Sequence, residues 1–228
     1  MPHQLTFDLP TREALGRDAF FVAPSNRLAV ATLENVAMWP SGKLALIGPK
    51  GSGKTHLAHV WAIEQNAVIV PASALTTVNV PAIAAQRHVV VEDADTLPTL
   101  PDAAAAQEAL FHLHNLTLAE GGRLLITATH APNHWALTLP DLASRMEGTA
   151  VARIEEPDDA LLSAMLIKHF EDHQIAVSHT LIPYLVKRIE RSAAAVRDIV
   201  DALDAASLRS RKPVSQKLAA QVLDKSGN

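Results

Sequence analysis

The fold is decided by one stretch of sequence, Lys43-Leu44-Ala45-Leu46-Ile47-Gly48-Pro49-Lys50-Gly51-Ser52-Gly53-Lys54-Thr55. A mostly apolar run typical of a buried strand leads directly into G-x-x-x-x-G-K-[ST], and a helical pattern over 54–65 follows. Glycines allow such a loop to wrap so that successive backbone N–H groups point at phosphate oxygens, and the helix adds its positive end. The motif in this context predicts a nucleotide-binding loop.

Each residue of this loop has an expected part in holding the nucleotide. Lys54 would supply positive charge to the β- and γ-phosphates, and the Thr55 hydroxyl would be a ligand of Mg²⁺. The backbone of the other positions would cradle the phosphates, namely Gly48, Pro49, Lys50, Gly51, Ser52 and Gly53. The cofactors predicted from this stretch are therefore ADP or ATP together with Mg²⁺.

The alternation of apolar runs and longer periodic segments predicts a parallel α/β sheet with helices on both faces. The expected strands are 43–47, 67–70, 88–91, 124–127 and 150–154, and the expected helices among them are 26–38, 54–65, 102–119 and 139–146. From residue 157 the strand signal vanishes, and four amphipathic helices are expected over 158–172, 179–190, 193–209 and 214–224. The predicted organisation is an arm over 1–12, an α/β base over 13–156 and an α-helical lid over 157–228.

The composition sets limits on function. The chain has 228 residues, 48% of them hydrophobic and 19% charged, which suits one α/β core with a smaller second part. Its 20 Lys and Arg residues against 24 Asp and Glu residues give a formal net charge of −4, which disfavours sequence-independent DNA binding. It has no cysteine, which excludes thiol catalysis and fits a cytoplasmic protein. No apolar run reaches the ~18 residues of a membrane span, and no secretory signal pattern opens the chain.

Two acids follow the strand predicted at 88–91, where a Mg²⁺-dependent hydrolase of this class needs them. In the simplest register Glu92 takes the metal-side position and Asp93 activates water. Shifting the register puts Asp93 on the metal and leaves Ala94 where the base should be. Glu is one methylene longer than the usual Asp and must retract to keep the geometry of Mg²⁺. Either register predicts hydrolysis weaker than binding, and the remaining alternative is a merely solvated strand end.

Further blocks surround the phosphate loop in a fixed order. Before it stand Phe20-Phe21-Val22 and Ser25-Asn26; after it come the acidic strand, then 124–129 followed by Pro132, then 139–145, and finally 195–199. This order resembles the AAA+ region of the bacterial replication initiator family DnaA. It is more similar to the short DnaA-related regulators of the Hda type, which lack the initiator's C-terminal DNA-binding domain. No helix-turn-helix fits after the fourth lid helix, so direct sequence-specific DNA binding is not expected.

The resemblance implies roles for four more side chains. Thr127 or Thr129 would be sensor 1, a polar group near the γ-phosphate. Arg197 would be the sensor 2 arginine of the lid, the alternative being a surface charge paired with a nearby aspartate. Arg145 would be an arginine finger that reaches a nucleotide held by a neighbouring subunit, the alternative being an ordinary helix-end arginine. A guanidinium in the finger position accelerates phosphoryl transfer by as much as ~10³–10⁵.

The N-terminal arm carries a second resemblance. Its residues Gln4, Leu5, Phe7 and Leu9 resemble the peptide by which Hda and other replication proteins dock on the DNA sliding clamp, with Phe7 in place of the usual Leu. The alternative is an arm that folds back on its own sheet.

Together these features predict a negative regulator of replication initiation. It would dock on the DNA-loaded clamp and present Arg145 to ATP bound by DnaA, while its own ATPase activity is at most weak. Two alternatives stay open, an autonomous AAA+ ATPase acting as a loader and a non-catalytic replication adaptor. Self-association of the free protein is also left open.

Overall fold

The computed structural model of the protein describes residues 22–226, and a five-stranded sheet forms its centre. All strand pairs are parallel, and the strand order is β2-β3-β4-β1-β5. The strands are β1 (Lys43–Ile47), β2 (Val68–Pro71), β3 (His88–Glu92), β4 (Arg123–Ala128) and β5 (Ala150–Arg153). The predicted parallel α/β fold is confirmed, and each strand lies within about one residue of its predicted bounds.

Helices connect the strands and continue after the last of them. Those within the sheet region are α1 (Arg27–Glu34), α2 (Lys54–Gln65), α3 (Val80–Ala84), α4 (Ala103–Ala119) and α5 (Pro140–Glu147). Those after it are α6 (Asp159–Asp172), α7 (Leu181–Val186), α8 (Ala193–Ser210) and α9 (Gln216–Ser226). The helix predicted over 26–38 ends early, because Asn35 leaves the helical conformation and a separate 3₁₀ turn follows it.

The inner residues of the strands are apolar because helices cover both faces of the sheet. In β1, Leu44 and Leu46 pack with α1 and α2 on one face, whereas Ala45 and Ile47 pack with α4 and α5 on the other. All five β1 residues are buried, as expected for a central strand of a doubly covered parallel sheet. The helices α6 to α9 enclose an apolar cluster of their own, centred on Phe170 and Leu185. None of the described helices is long and apolar enough to span a membrane.

Candidate nucleotide-binding site

The loop predicted to bind phosphate joins β1 to α2 at the carboxyl edge of the sheet. Gly48 N–H donates to the carbonyl of Ala128 at 3.3 Å, so the loop begins beside the end of β4. On the other side, Ile154 N–H donates to Ile47 at 2.8 Å, just beyond β5. Gly51 and Gly53 have φ values of +77° and +99°, which favour glycine because it has no Cβ. The loop therefore has the strand–turn–helix setting that a phosphate cradle requires.

Lys54 opens α2 and folds back over this loop. Its side chain is buried, with 7% of the residue exposed, and its Nζ donates to the carbonyls of Gly48 and Pro49 at 2.8 and 2.9 Å. Burial lowers the pKa of Lys54, and the nearby carboxylates of Asp93 and Asp95 act in the opposite direction. Lys54 thus sits as a buried cation inside the loop, with two acids close enough to stabilise its charge.

Two buried oxygens at this site have no hydrogen-bond donor among the described residues. One is Ser52 Oγ in the loop, and the other is Glu92 Oε1 at the end of β3. His59 Nε2, on α2, lies 3.6 Å from Glu92 Oε1. Buried polar atoms are ordinarily satisfied, so unsatisfied ones in the loop and at the end of β3 fit a site for phosphate and a hydrated cation. The residues present therefore suit the nucleotide and Mg²⁺ that the motif predicts.

Glu92, the last residue of β3, and Asp93, the residue after it, contact different elements. Glu92 lies beside His59 on α2, one turn beyond Thr55, which is exposed at the start of the same helix. Asp93 leaves the strand with φ +54°, and its backbone N–H donates to Thr127 Oγ1 at 3.0 Å. Because Thr127 is fully buried on β4, this bond fixes where Asp93 turns.

Asp95 is the acid that the sequence analysis did not single out. Its Oδ2 accepts a hydrogen bond from the Thr129 N–H at 2.8 Å and lies 3.8 Å from His130 Nδ1. These contacts hold the carboxylate between the ends of β3 and β4, close enough to Lys54 to affect its pKa. The signal in the sequence was the third acid of Glu92-Asp93-Ala94-Asp95, although only the left-handed turn at Asp93 brings it back toward the loop.

The helix α8 meets the phosphate loop directly. Its N-cap is Ser192, whose Oγ accepts from Ala195 N–H at 3.0 Å, and Ala193 N–H donates to the carbonyl of Gly51 at 2.9 Å. A Cβ on Gly51 would lie 2.5 Å from Ser192 Cβ, so only glycine permits this approach. Arg197 lies on the second turn of α8, is exposed, and helps to lower the pKa of His169 on α6, after the larger effect of burial.

Arg145 lies at the opposite edge of the sheet. It is in the last turn of α5, and β5 begins beside the start of β1, with Ala150 paired to Leu44. The backbone carbonyl of Arg145 accepts a hydrogen bond from Lys43, the first residue of β1. A five-residue strand rises about 13 Å between its first and last Cα atoms, so this edge is well removed from the loop. The guanidinium is exposed, and no described carboxylate is within ion-pair distance of it.

Gly48→Ala is expected to lower the free energy of unfolding by about 1–3 kcal/mol, the usual cost of overpacking. An added Cβ would lie 2.4 Å from the backbone carbonyl oxygen of Ile154, which cannot swing aside. The matched control is Gly148→Ala, because a Cβ there meets nothing closer than 3.5 Å and the site is exposed. Urea denaturation of both variants measures the difference; equal midpoints would contradict this account of the loop.

The predicted clamp-binding residues Gln4, Leu5, Phe7 and Leu9 lie outside the described residues. Their role stays a prediction.

Comparisons with known proteins agree with this fold. No protein-family model matches the chain. The chromosomal replication initiator protein DnaA of Thermomicrobium roseum is 27% identical, over 90% of this chain and 48% of the relative. Domain III of the Thermotoga maritima replication initiation protein DnaA superposes with a TM-score of 0.79 and 19% identity, over 95% of this chain and 98% of that one. AMPPCP-bound DnaA from Aquifex aeolicus gives a TM-score of 0.70 and 16% identity, over 88% and 69%.

The sheet order, the loop after β1 and these neighbours define the molecule as an α/β AAA+ fold. More particularly, its sequence is similar to that of the replication initiator DnaA, at 27% and 28% identity over 90% of this chain. The chain spans about half the length of the curated relatives it matches.

Proposed function

We propose that this chain is a nucleotide-binding regulator of DnaA that inactivates the initiator by stimulating hydrolysis of the ATP that DnaA holds. The observation that carries the proposal is the placement of Arg145 at the sheet edge opposite the phosphate loop. Its side chain is exposed there and forms no ion pair with any described carboxylate. An arginine at that edge cannot serve a nucleotide in its own loop. It is free to serve one held by a neighbouring molecule, which is how an arginine finger acts.

The chain's own nucleotide would be ADP or ATP, held by the loop at 48–55. Lys54 would exchange its bonds to Gly48 and Pro49 for bonds to phosphate oxygens, and Ser52 Oγ would gain a partner. The AMPPCP-bound DnaA from Aquifex aeolicus supports this choice of ligand. Bound to the phosphates, Mg²⁺ neutralises charge on them, and Thr55 with Glu92 or Asp93 would hold it.

The residues around the acids would give weak intrinsic hydrolysis. Asp93 would orient water, Thr127 or Thr129 would act as sensor 1, and Arg197 in the helical lid would act as sensor 2. Glu92 lies 3.6 Å from His59 Nε2 and is longer than the aspartate usual at the metal side. The nucleotide of this chain would therefore serve mainly to hold the lid against the base, where Ala193 already bonds to Gly51.

Delivery to DnaA would depend on the arm over 1–12, which we propose docks on the DNA-loaded sliding clamp through Gln4, Leu5, Phe7 and Leu9. A short segment with apolar anchors binds a groove with modest affinity, because it loses conformational freedom on binding. The clamp would raise its effective concentration beside the initiator.

Deleting residues 1–9 tests this part of the proposal. With clamp loaded on DNA, the variant is expected to stimulate DnaA-ATP hydrolysis about 10²-fold less at limiting concentration. At saturating concentration without clamp, the deletion and the full chain are expected to be equal. If the deletion has no effect with clamp present, the arm has another role. A deficit of equal size without clamp would indicate damage to the AAA+ part instead.

A second candidate is an autonomous AAA+ ATPase that acts as a loader. It is favoured by the two carboxylates, Asp93 and Asp95, that lie close to Lys54. It predicts robust ATP turnover by the isolated chain, lost in Lys54→Ala, whereas the regulator predicts slow turnover. A non-catalytic adaptor instead predicts that Arg145→Ala leaves DnaA-ATP hydrolysis unchanged.

A further inference from the structure

A buried polar cluster lies behind Arg145, at the start of β1. Lys43 and His114 are 5% and 4% exposed, and Lys43 Nζ lies 3.4 Å from His114 Nε2. Lys43 Nζ also donates to the backbone carbonyl of Arg145, and His114 Nδ1 lies 3.0 Å from Asn115 Oδ1. Three elements, β1, α4 and α5, thus meet through one chain of polar contacts.

The hydrogen-bonding chemistry of these groups determines which ring nitrogen of His114 carries the proton. A lysine ammonium can only donate, so His114 Nε2 has to accept from it. The imidazole proton is then on Nδ1, where it donates to the Asn115 amide oxygen. Neutral His114 therefore orients Lys43, and Lys43 holds the carbonyl of Arg145.

Burying the Lys43 ammonium costs free energy, and the group that it holds is the backbone carbonyl of Arg145. No carboxylate in the described part of the chain pairs with Lys43, and burying an unpaired ammonium is unfavourable. The Arg145 carbonyl also accepts from Thr149 Oγ1 at 3.0 Å, so the last turn of α5 is held from two sides. The guanidinium of the same residue remains exposed. The contacts fix the backbone of Arg145 and leave its charged end available.

We infer that Lys43 and His114 are positioning residues that aim Arg145 at the nucleotide of a neighbouring AAA+ molecule. This inference rests on the proposed function. Two buried groups hold the backbone from which the finger projects, and a catalytic group displaced by about 1 Å loses on the order of 10²-fold in rate. Neither Lys43 nor His114 touches the partner's nucleotide, so they act through Arg145.

The arrangement makes the stimulation sensitive to acid. The groups that face His114 are Lys43 from β1, Arg145 from α5 and Asn115 on its own helix. Burial lowers the pKa of His114, the Asn115 hydrogen bond opposes this, and the charges of Lys43 and Arg145 lower it further. His114 is therefore neutral at pH 7 and gains its proton only as the pH falls below its ordinary value of about 6.5. The added charge would repel Lys43 and remove the acceptor.

The test measures ATP hydrolysis by DnaA as a ratio with and without this chain, over a range of its concentrations. Lys43→Met is expected to lower the maximal ratio by about 10- to 100-fold, because Arg145 is misplaced. The concentration for half-maximal effect should stay within about twofold, because the partner surface is retained. The matched control is Lys187→Met, at an exposed lysine just after α7, which should behave as wild type.

The pH profile supplies a readout that a purely structural role would not change. The wild-type ratio is expected to stay level from pH 7.5 to about pH 6.5, the ordinary pKa of histidine, and to fall as the pH is lowered further. His114→Gln offers Lys43 an acceptor without a titrating ring, so it should keep the ratio at pH 7.5 and lose most of the fall. Circular dichroism checks the fold of each variant. If Lys43→Met does not fold, the pH profile of His114→Gln alone tests the positioning role.

Arg145→Ala in the same assay distinguishes failure of the positioning role from failure of the proposed function. If it abolishes stimulation while Lys43→Met keeps the full ratio, or His114→Gln keeps the wild-type pH profile, the positioning role is overturned and the proposed function stands. If Arg145→Ala itself changes nothing, both are overturned.

Discussion

Arg145→Ala is expected to reduce the stimulation of DnaA-ATP hydrolysis by about 10³-fold or more, the range reported for arginine fingers. The guanidinium would stabilise charge that develops on the transferred phosphoryl group, and no other exposed arginine lies on α5. The substitution should leave this chain's own nucleotide affinity unchanged, because Arg145 and the phosphate loop lie at opposite edges of the sheet. Single-turnover hydrolysis of labelled ATP on DnaA measures the effect.

Arg209→Ala is the matched control for this experiment. Arg209 is an exposed arginine in the last turn of α8, a different helix from the one that carries Arg145. Its loss should leave stimulation within about twofold of wild type, as is usual for a surface site. If both variants lose activity alike, the effect is one of general charge, and Arg145 is not a finger.

Lys54→Ala is expected to weaken ATP binding by about 10²-fold or more and ADP binding by about 10- to 10²-fold. A hydrogen bond to a charged group contributes about 1.5–3 kcal/mol, and the ammonium would bond to the β- and γ-phosphates of ATP but only to the β-phosphate of ADP. Lys54 already lies buried in the loop with two carbonyls as its acceptors, so its position is fixed before the ligand arrives. Titration with a fluorescent ADP measures the affinity.

Thermal unfolding gives a second measurement of the same loss. A ligand present at 100 times its Kd stabilises the folded state by about 2.7 kcal/mol, so ADP should raise the Tm of the wild type. Lys54→Ala should show little of this increase, whereas Lys187→Ala, at an exposed lysine outside the loop, should show all of it. An undiminished increase in Lys54→Ala would contradict the assignment of the loop as the nucleotide site.

The strands could be predicted because the inner residues of each are apolar on both sides. A parallel strand covered on both faces lacks the alternation of a half-exposed one, and β1 illustrates this in five residues. The short helix α3 could not be predicted in the same way, because it has five residues and Pro81 near its start. The end of α1 was also misjudged, since nothing in the apolar spacing of 26–38 reveals that Asn35 leaves the helix.

The phosphate loop could be predicted residue by residue, because all of its residues lie in one continuous sequence motif. The rest of the site depends on contacts between distant segments. Asp95 reaches Thr129, 34 residues later, through a left-handed turn at Asp93 that its residue type does not require. Lys43 and Arg145 are 102 residues apart, and their contact arises only because β5 pairs in parallel with β1. Sequence spacing carries no information about either pair.

The central claim is that this chain holds one nucleotide and acts on another. The most direct test mixes wild-type chain, loaded with unlabelled ADP, with DnaA loaded with γ-labelled ATP, and follows release of labelled phosphate; the converse mixture puts the labelled ATP on this chain. We expect rapid release from DnaA that requires Arg145, and slow release from this chain with or without DnaA. Rapid release of label from this chain, with none stimulated on DnaA, would contradict the account.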